Sequence, residues 1–249
     1  MTRHTPAGAV LLVSLLTLGT AVPHAQVASI RKETVRFAKG ASEAAIAGRL
    51  QGDQTVDYVV GAKAGQRLAV ALKKTNPQTY FNVLPPGSED VAMHVGQDGG
   101  AFQGVLPDDG DYTVRVYLMR AAARRNERSE YTLTVGVTGQ ALAPIAASQD
   151  ALVPGTRFHA SATVACTAPF ETNPGECSAF VLRRSPAGSG TVELRSKGRT
   201  VRRILFVAGK PVASDATEAP SAARAGDDTT VTFGSDERYV IPDALVRGG

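Results

Sequence analysis

YTVRVYL, Tyr112–Leu118, decides the fold class. Tyr112, Val114, Val116 and Leu118 fall on one face and Thr113, Arg115 and Tyr117 on the other, the period of two that a half-buried strand requires. The turn PDDGD, Pro107–Asp111, stands immediately before it. Working outward, the same short alternating segments recur at Ala44–Leu50, Thr55–Ala62, Arg67–Lys73, Thr79–Leu84, Val91–Val95, Ala101–Leu106 and Tyr131–Val137, with Gly, Pro, Asn and Asp between them. Strands and turns at this spacing predict an all-β fold, an eight-stranded antiparallel β-sandwich over residues 33–138.

Residues 139–155 read as a linker, because Ala141–Pro154 holds Pro at both ends and small residues between, without strand alternation. A second, smaller antiparallel β domain is predicted over 156–249. Its strands lie near Phe158–Cys166, Ser178–Arg184, Thr191–Leu194, Val201–Val207, Thr229–Phe233 and Arg238–Ile241. Ser214–Asp228, rich in Ala, Asp, Ser and Glu, reads as a long surface loop. Cys166 and Cys177 are the two cysteines of a chain expected outside the reducing cytosol, and they predict one disulfide.

That expectation comes from the first 25 residues. A basic Arg3, an apolar stretch from Ala9 to Leu18 and small residues from Gly19 to Ala25 make a secretory signal peptide, cleaved after Ala21 or Ala25. The apolar stretch is shorter than the roughly 20 residues of a membrane helix, and no span is predicted. Without Arg3 the 27 basic residues become 26 against 23 acidic ones, a surplus of +3 too small to suggest a nucleic-acid partner. The protein is expected to be periplasmic or secreted; its oligomeric state is not encoded in any pattern.

No GxSxG elbow, HExxH, P-loop or GxGxxG occurs, so no catalytic residue, cofactor or metal is assigned, and an enzyme is not expected. Asp108 and Asp109 read as turn residues, and together with Asp98 and Asp111 they lack the register of a calcium loop. Asn82–Asp90, NVLPPGSED, is a stiff turn that connects strands or serves recognition. His94 reads as a sheet-face residue. The basic cluster Arg195, Lys197, Arg199, Arg202 and Arg203 reads as a hairpin with polar faces around Gly198.

One stretch breaks the strand rhythm: Tyr117–Tyr131, YLMRAAARRNERSEY. Its alanines favour a helical turn, and such a turn sets Arg120 and Arg124 on one side at a spacing of four. Like charges at that spacing oppose the fold unless something acidic answers them. Either Glu127 and Glu130 balance a solvated loop, or a partner does.

The segment KGASEAAIAGRLQGDQTVDYVVGAKAGQRLAVALKK (39–74), with the Tyr112 strand and RAAARRNE after it, resembles the periplasmic inhibitors of g-type lysozyme and the wider pre-peptidase C-terminal-like sandwiches. In those inhibitors a loop after the late strand carries an RxxxRxN pattern that enters the lysozyme's substrate cleft. The resemblance implies partner-binding roles for Arg120, Arg124 and Asn126, g-type lysozyme as the partner, and a non-catalytic function. The inhibitors carry a tyrosine directly after the glycine corresponding to Gly52, where this chain has Asp53. From VPGTRFHASATVAC to RYVIPDALVRGG the chain resembles a C-terminal domain of uncharacterised secreted bacterial proteins, which implies no function. The alternatives are a cell-wall or glycan-binding module, which the absence of Trp disfavours, and a structural envelope protein.

Overall fold

The computed structural model describes residues 1–2, 30–98 and 100–248, so the predicted signal peptide lies outside the described residues apart from its first two. The first block is built from β1 (Arg31–Thr34), β2 (Glu43–Gln51), β3 (Thr55–Ala62), β4 (Arg67–Lys74), β5 (Thr79–Leu84), β6 (His94–Val95), β7 (Ala101–Val105), β8 (Gly110–Leu118), the short helix α1 (Arg120–Arg124) and β9 (Arg128–Thr138). They form two facing sheets, in the orders β1-β3-β8-β5-β6 and β2-β9-β4-β7. The inward residues of β8, Tyr112, Val114, Val116 and Leu118, are buried against Leu68, Val70, Leu133 and Val135 of the other sheet, as the alternation requires.

All eight expected strands are present, and β1 is a ninth. It pairs parallel with β3, whereas the other pairs in these two sheets are antiparallel. RKET has no apolar alternation to announce a strand; it is held by backbone pairing at a sheet edge.

The second block contains β10 (Ala160–Thr167), β11 (Gly175–Arg184), β12 (Ser189–Ser196), β13 (Arg199–Val207), β14 (Lys210–Ser214), β15 (Ser221–Ala225), β16 (Asp228–Phe233), β17 (Glu237–Pro242) and the short helix α2 (Asp243–Arg247). Its strands make one antiparallel sheet, β14-β13-β12-β11-β10-β17-β16-β15, which curls until its two edge strands approach each other. Leu245 and Val246 of α2 join its core. Cys166 and Cys177 are disulfide-bonded with Cα atoms 5.8 Å apart, tying β10 to β11. The surface-loop expectation for Ser214–Asp228 is corrected: β15 lies inside it, paired with β16, and Ser214, Asp215 and Ala216 are buried.

The two blocks meet through the turn that precedes β8. Arg184 of β11 is fully buried and donates to Asp108 Oδ1 at 3.0 Å, Asp109 Oδ1 at 3.0 Å, Leu142 O at 2.8 Å and Thr191 Oγ1 at 3.0 Å. Arg157 reaches Asp108 Oδ2 at 2.6 Å, and Arg203 lies 3.5 Å from the same oxygen. Thr191 donates to Pro107 O at 2.7 Å, and Ala64, Leu205 and Ala213 form a small apolar cluster beside the seam. Tyr112 Oη donates to Asp108 O at 2.8 Å, which fixes the turn from the sandwich side; burial pushes that phenol well above its usual value. The segment between the blocks is itself bonded to both, with Leu142 N to Ala64 O and Ile145 N to Arg183 O.

Candidate functional site

At the end of the sandwich away from that seam, three connections converge: Gly52–Gln54 after β2, Thr75–Gln78 after β4, and Met119–Glu127 between β8 and β9. In the third, Ala122 is fully buried in the core and Ala123 packs against it, so the single turn of α1 is pinned by its alanine side. Arg120 and Arg124 are left on the exposed side. Neither forms an ion pair among the described residues.

Glu127 does not answer them. Its carboxylate binds Arg125 at 2.7 Å and accepts from the Asn76 side-chain amide at 2.8 Å; that amide first, and Arg125 second, hold Glu127 below the usual carboxylate range. Glu130 lies further along β9, where Thr75 donates to its backbone carbonyl. Two guanidiniums one turn apart thus remain uncompensated, at a cost of a few tenths of a kcal/mol to the fold.

The loop's shape comes from Asn126 and Gly52, which the resemblance brought forward for other reasons, and from Asn76, which sequence reasoning passed over. Asn126 ends α1 in the left-handed region, φ 53°, with its amide bonded to Ala123 O at 2.9 Å. Gly52, φ +60°, donates to Glu127 O at 3.0 Å, and a Cβ on it would lie 2.8 Å from Asn126 Oδ1. The two turns therefore interlock, and exposed Asp53 is held beside the arginine loop. Asn76 supplies the third strut: its amide also reaches Arg128 O at 3.2 Å, and Met119 N donates to Gln78 O at 2.9 Å. The dipeptide Asn76-Pro77 was the available turn signal.

The other sequence candidates go elsewhere. Asp108 and Asp109 are bound by arginines at the seam, and among the described residues no group of three or more His, Cys, Asp or Glu could hold a metal ion. His94 lies between the rings of Phe81 and Phe102, with centroids 5.4 and 5.1 Å away. Of Asn82–Asp90 the first three residues are the end of β5, and the turn proper, Pro85–Asp90, is fastened by Arg115, whose guanidinium donates to Glu89 O at 2.8 Å, so it lies at the seam end of the sandwich. The polar-hairpin reading of the basic cluster is corrected for two members. Arg202 is buried on Glu237 at 2.6 Å and Arg203 bridges Glu193, Asp215 and Asp108, while Lys197 and Arg199 stay exposed.

The described residues thus present a β-sandwich with two exposed arginines, Arg120 and Arg124, on a short helical turn pinned by Ala122. Over 132 residues the chain is 30% identical to the Inhibitor of g-type lysozyme of Escherichia coli (strain K12), a match that covers 52% of this chain and 93% of that relative. The chain belongs to the family of that inhibitor. Similar solved structures include the periplasmic inhibitors of g-type lysozyme from Aeromonas hydrophila, at 38% identity, 44% of this chain, 97% of that chain and TM-score 0.42, and from Salmonella Typhimurium, at 25% identity, 44%, 100% and TM-score 0.37. No family-level sequence profile matches the chain. Among the described residues no helix is long and apolar enough to cross a membrane.

Proposed function

We propose that the chain is a periplasmic or secreted inhibitor of g-type lysozyme, whose arginine loop blocks the enzyme's acidic substrate cleft. The observation that carries this is the exposed Arg120–Arg124 pair, pinned by buried Ala122 and answered by no carboxylate, in a member of the inhibitor family. A glycoside hydrolase cleft depends on carboxyl groups. A guanidinium offers donors in a planar fork that grips a carboxylate in two places, and it stays charged in a water-poor cleft where lysine loses its proton more readily. Asn126, exposed just after α1 and in the left-handed conformation, joins the two arginines in the partner surface on this reading. On this reading residues 33–138 form the inhibitor domain, 139–155 the connection and 156–249 a second domain. Lysis of a peptidoglycan suspension by goose-type and hen-type lysozymes, titrated with the protein, tests the function. Stoichiometric loss of goose-type activity is expected, and undiminished lysis at micromolar protein would refute it.

A further inference from the structure

The arginine loop is not the whole of the positive charge at its end of the sandwich. The segments 49–54, 73–78 and 118–130 hold seven cations, Arg49, Lys73, Lys74, Arg120, Arg124, Arg125 and Arg128, against the three carboxylates Asp53, Glu127 and Glu130. The difference, +4, exceeds the +3 of the chain without its predicted leader, so the rest of the exported chain carries −1. A surplus gathered at one end of a molecule produces a directed field, which a scattered surplus does not.

Arg49 and Lys73 lie outside the loop, on the outer face of the four-stranded sheet. Arg49 stands across from Glu130 on β9, and Lys73 stands across from Thr132 one step further. Both are exposed, and neither forms an ion pair among the described residues. With Arg31 and Lys74 they line one shallow depression of about 700 Å3, in which Glu130 is the sole carboxylate. The outward-facing residues between the cations, Ala47, Thr75 and Thr132, are small and leave the floor open. The depression runs into the arginine loop along the start of β9, where Thr75 and Asn76 brace Glu130 and Glu127.

Building on the inhibitor reading, we propose that the partner surface continues from the loop onto this sheet face, where Arg49 and Lys73 receive acidic side chains bordering the partner's groove. The depression is too open and wet to desolvate its charges, so these two residues contribute to the rate of encounter, while the loop arginines, withdrawn from water inside the cleft, set the lifetime of the complex.

The test is stopped-flow association of a goose-type lysozyme with the wild type, with R49A/K73A and with R120A/R124A, across ionic strengths from about 0.02 to 0.2 M. R49A/K73A is expected to associate on the order of tenfold more slowly at low salt, with a flatter salt dependence and a dissociation rate within about twofold of wild type. R120A/R124A is expected to dissociate much faster. If R49A/K73A associates as the wild type does at every ionic strength while R120A/R124A fails, the sheet-face inference is overturned and the loop reading stands. If the wild type does not bind the enzyme at all, both fall. Matching far-ultraviolet circular dichroism and melting temperature for the two variants exclude misfolding as the cause.

Discussion

Replacing Arg184 by Ala probes the seam between the two strand blocks. The side chain has no solvent exposure and donates four hydrogen bonds, two of them to the carboxylates of Asp108 and Asp109 in the turn before β8. Asp109 loses its one arginine, and Asp108 keeps Arg157, whose side chain is 45% exposed, and the longer 3.5 Å approach of Arg203. Removing one partner of a buried ion pair strands the other and costs about 3–5 kcal/mol. For a folded part of this size each kcal/mol lowers Tm by about 2–4 °C, so a fall of roughly 10 °C is expected. Calorimetry of the wild type should show one transition, because the seam couples the blocks, and R184A should melt earlier. The arginine loop should be unaffected, since the nine residues of β8 at about 3.3 Å each set it some 30 Å from the seam. Inhibition per folded molecule therefore stays at the wild-type level at 25 °C. A Tm change below about 2 °C, or two separate wild-type transitions, would show that the buried charges do not join the blocks.

The remaining expectations concern the loop and the disulfide. R120A/R124A abolishes inhibition while Tm stays within about 2 °C, as exposed charges contribute little to stability; a large fall in Tm would mean that the arginines are structural. Gly52→Ala puts a Cβ at φ +60° against Asn126 and costs about 1–2 kcal/mol in urea unfolding, with weakened inhibition, whereas a neutral result would break the proposed interlock of the two turns. Glu127 has its carboxyl held below the usual 4.5 by Asn76 and Arg125, so its bracing is complete above pH 4.5 and is lost as pH falls through the lower folded value. The Asn76 side-chain amide resonances should therefore stay constant from pH 7 to about pH 5 and shift only below pH 4.5; movement between pH 5 and 7 would contradict the assignment. Cys166→Ala with Cys177→Ala opens a loop of 11 residues and should lower stability by about 2–4 kcal/mol, read as a shift of the urea midpoint.

The sandwich was legible where its strands alternate. Thr55–Ala62 and Thr79–Leu84 have the boundaries that periodicity assigned, because each buries every second side chain against the opposite sheet. Strands held only by backbone pairing were not: RKET in β1 and SAARA in β15 carry no apolar face, and all five residues of β15 are exposed. The arginine loop could be read because its two charges are four residues apart. What holds it could not, since Gly52 and Asn76 come from distant turns, Asn76 standing 51 positions before the Glu127 it binds. The seam was hidden for the same reason. A DDGD turn satisfies ordinary turn chemistry, and nothing local to it announces an arginine 75 or 76 residues later.

Arg184 and Arg120 are the same residue type at opposite ends of one strand's reach, and their surroundings assign them opposite tasks. At the seam the carboxylates come from within the chain, the guanidinium is buried, and the charge is spent on joining two blocks. At the far end the chain supplies a support of Ala122, Gly52 and Asn76 but no carboxylate for the pair, and Glu127 is taken by Arg125 and Asn76. A fold that satisfies nearly every buried charge yet holds an exposed like-charged pair in fixed geometry bears a small permanent destabilisation. Binding to an acidic surface removes that destabilisation and, because the loop is already ordered, adds little cost of ordering to the association.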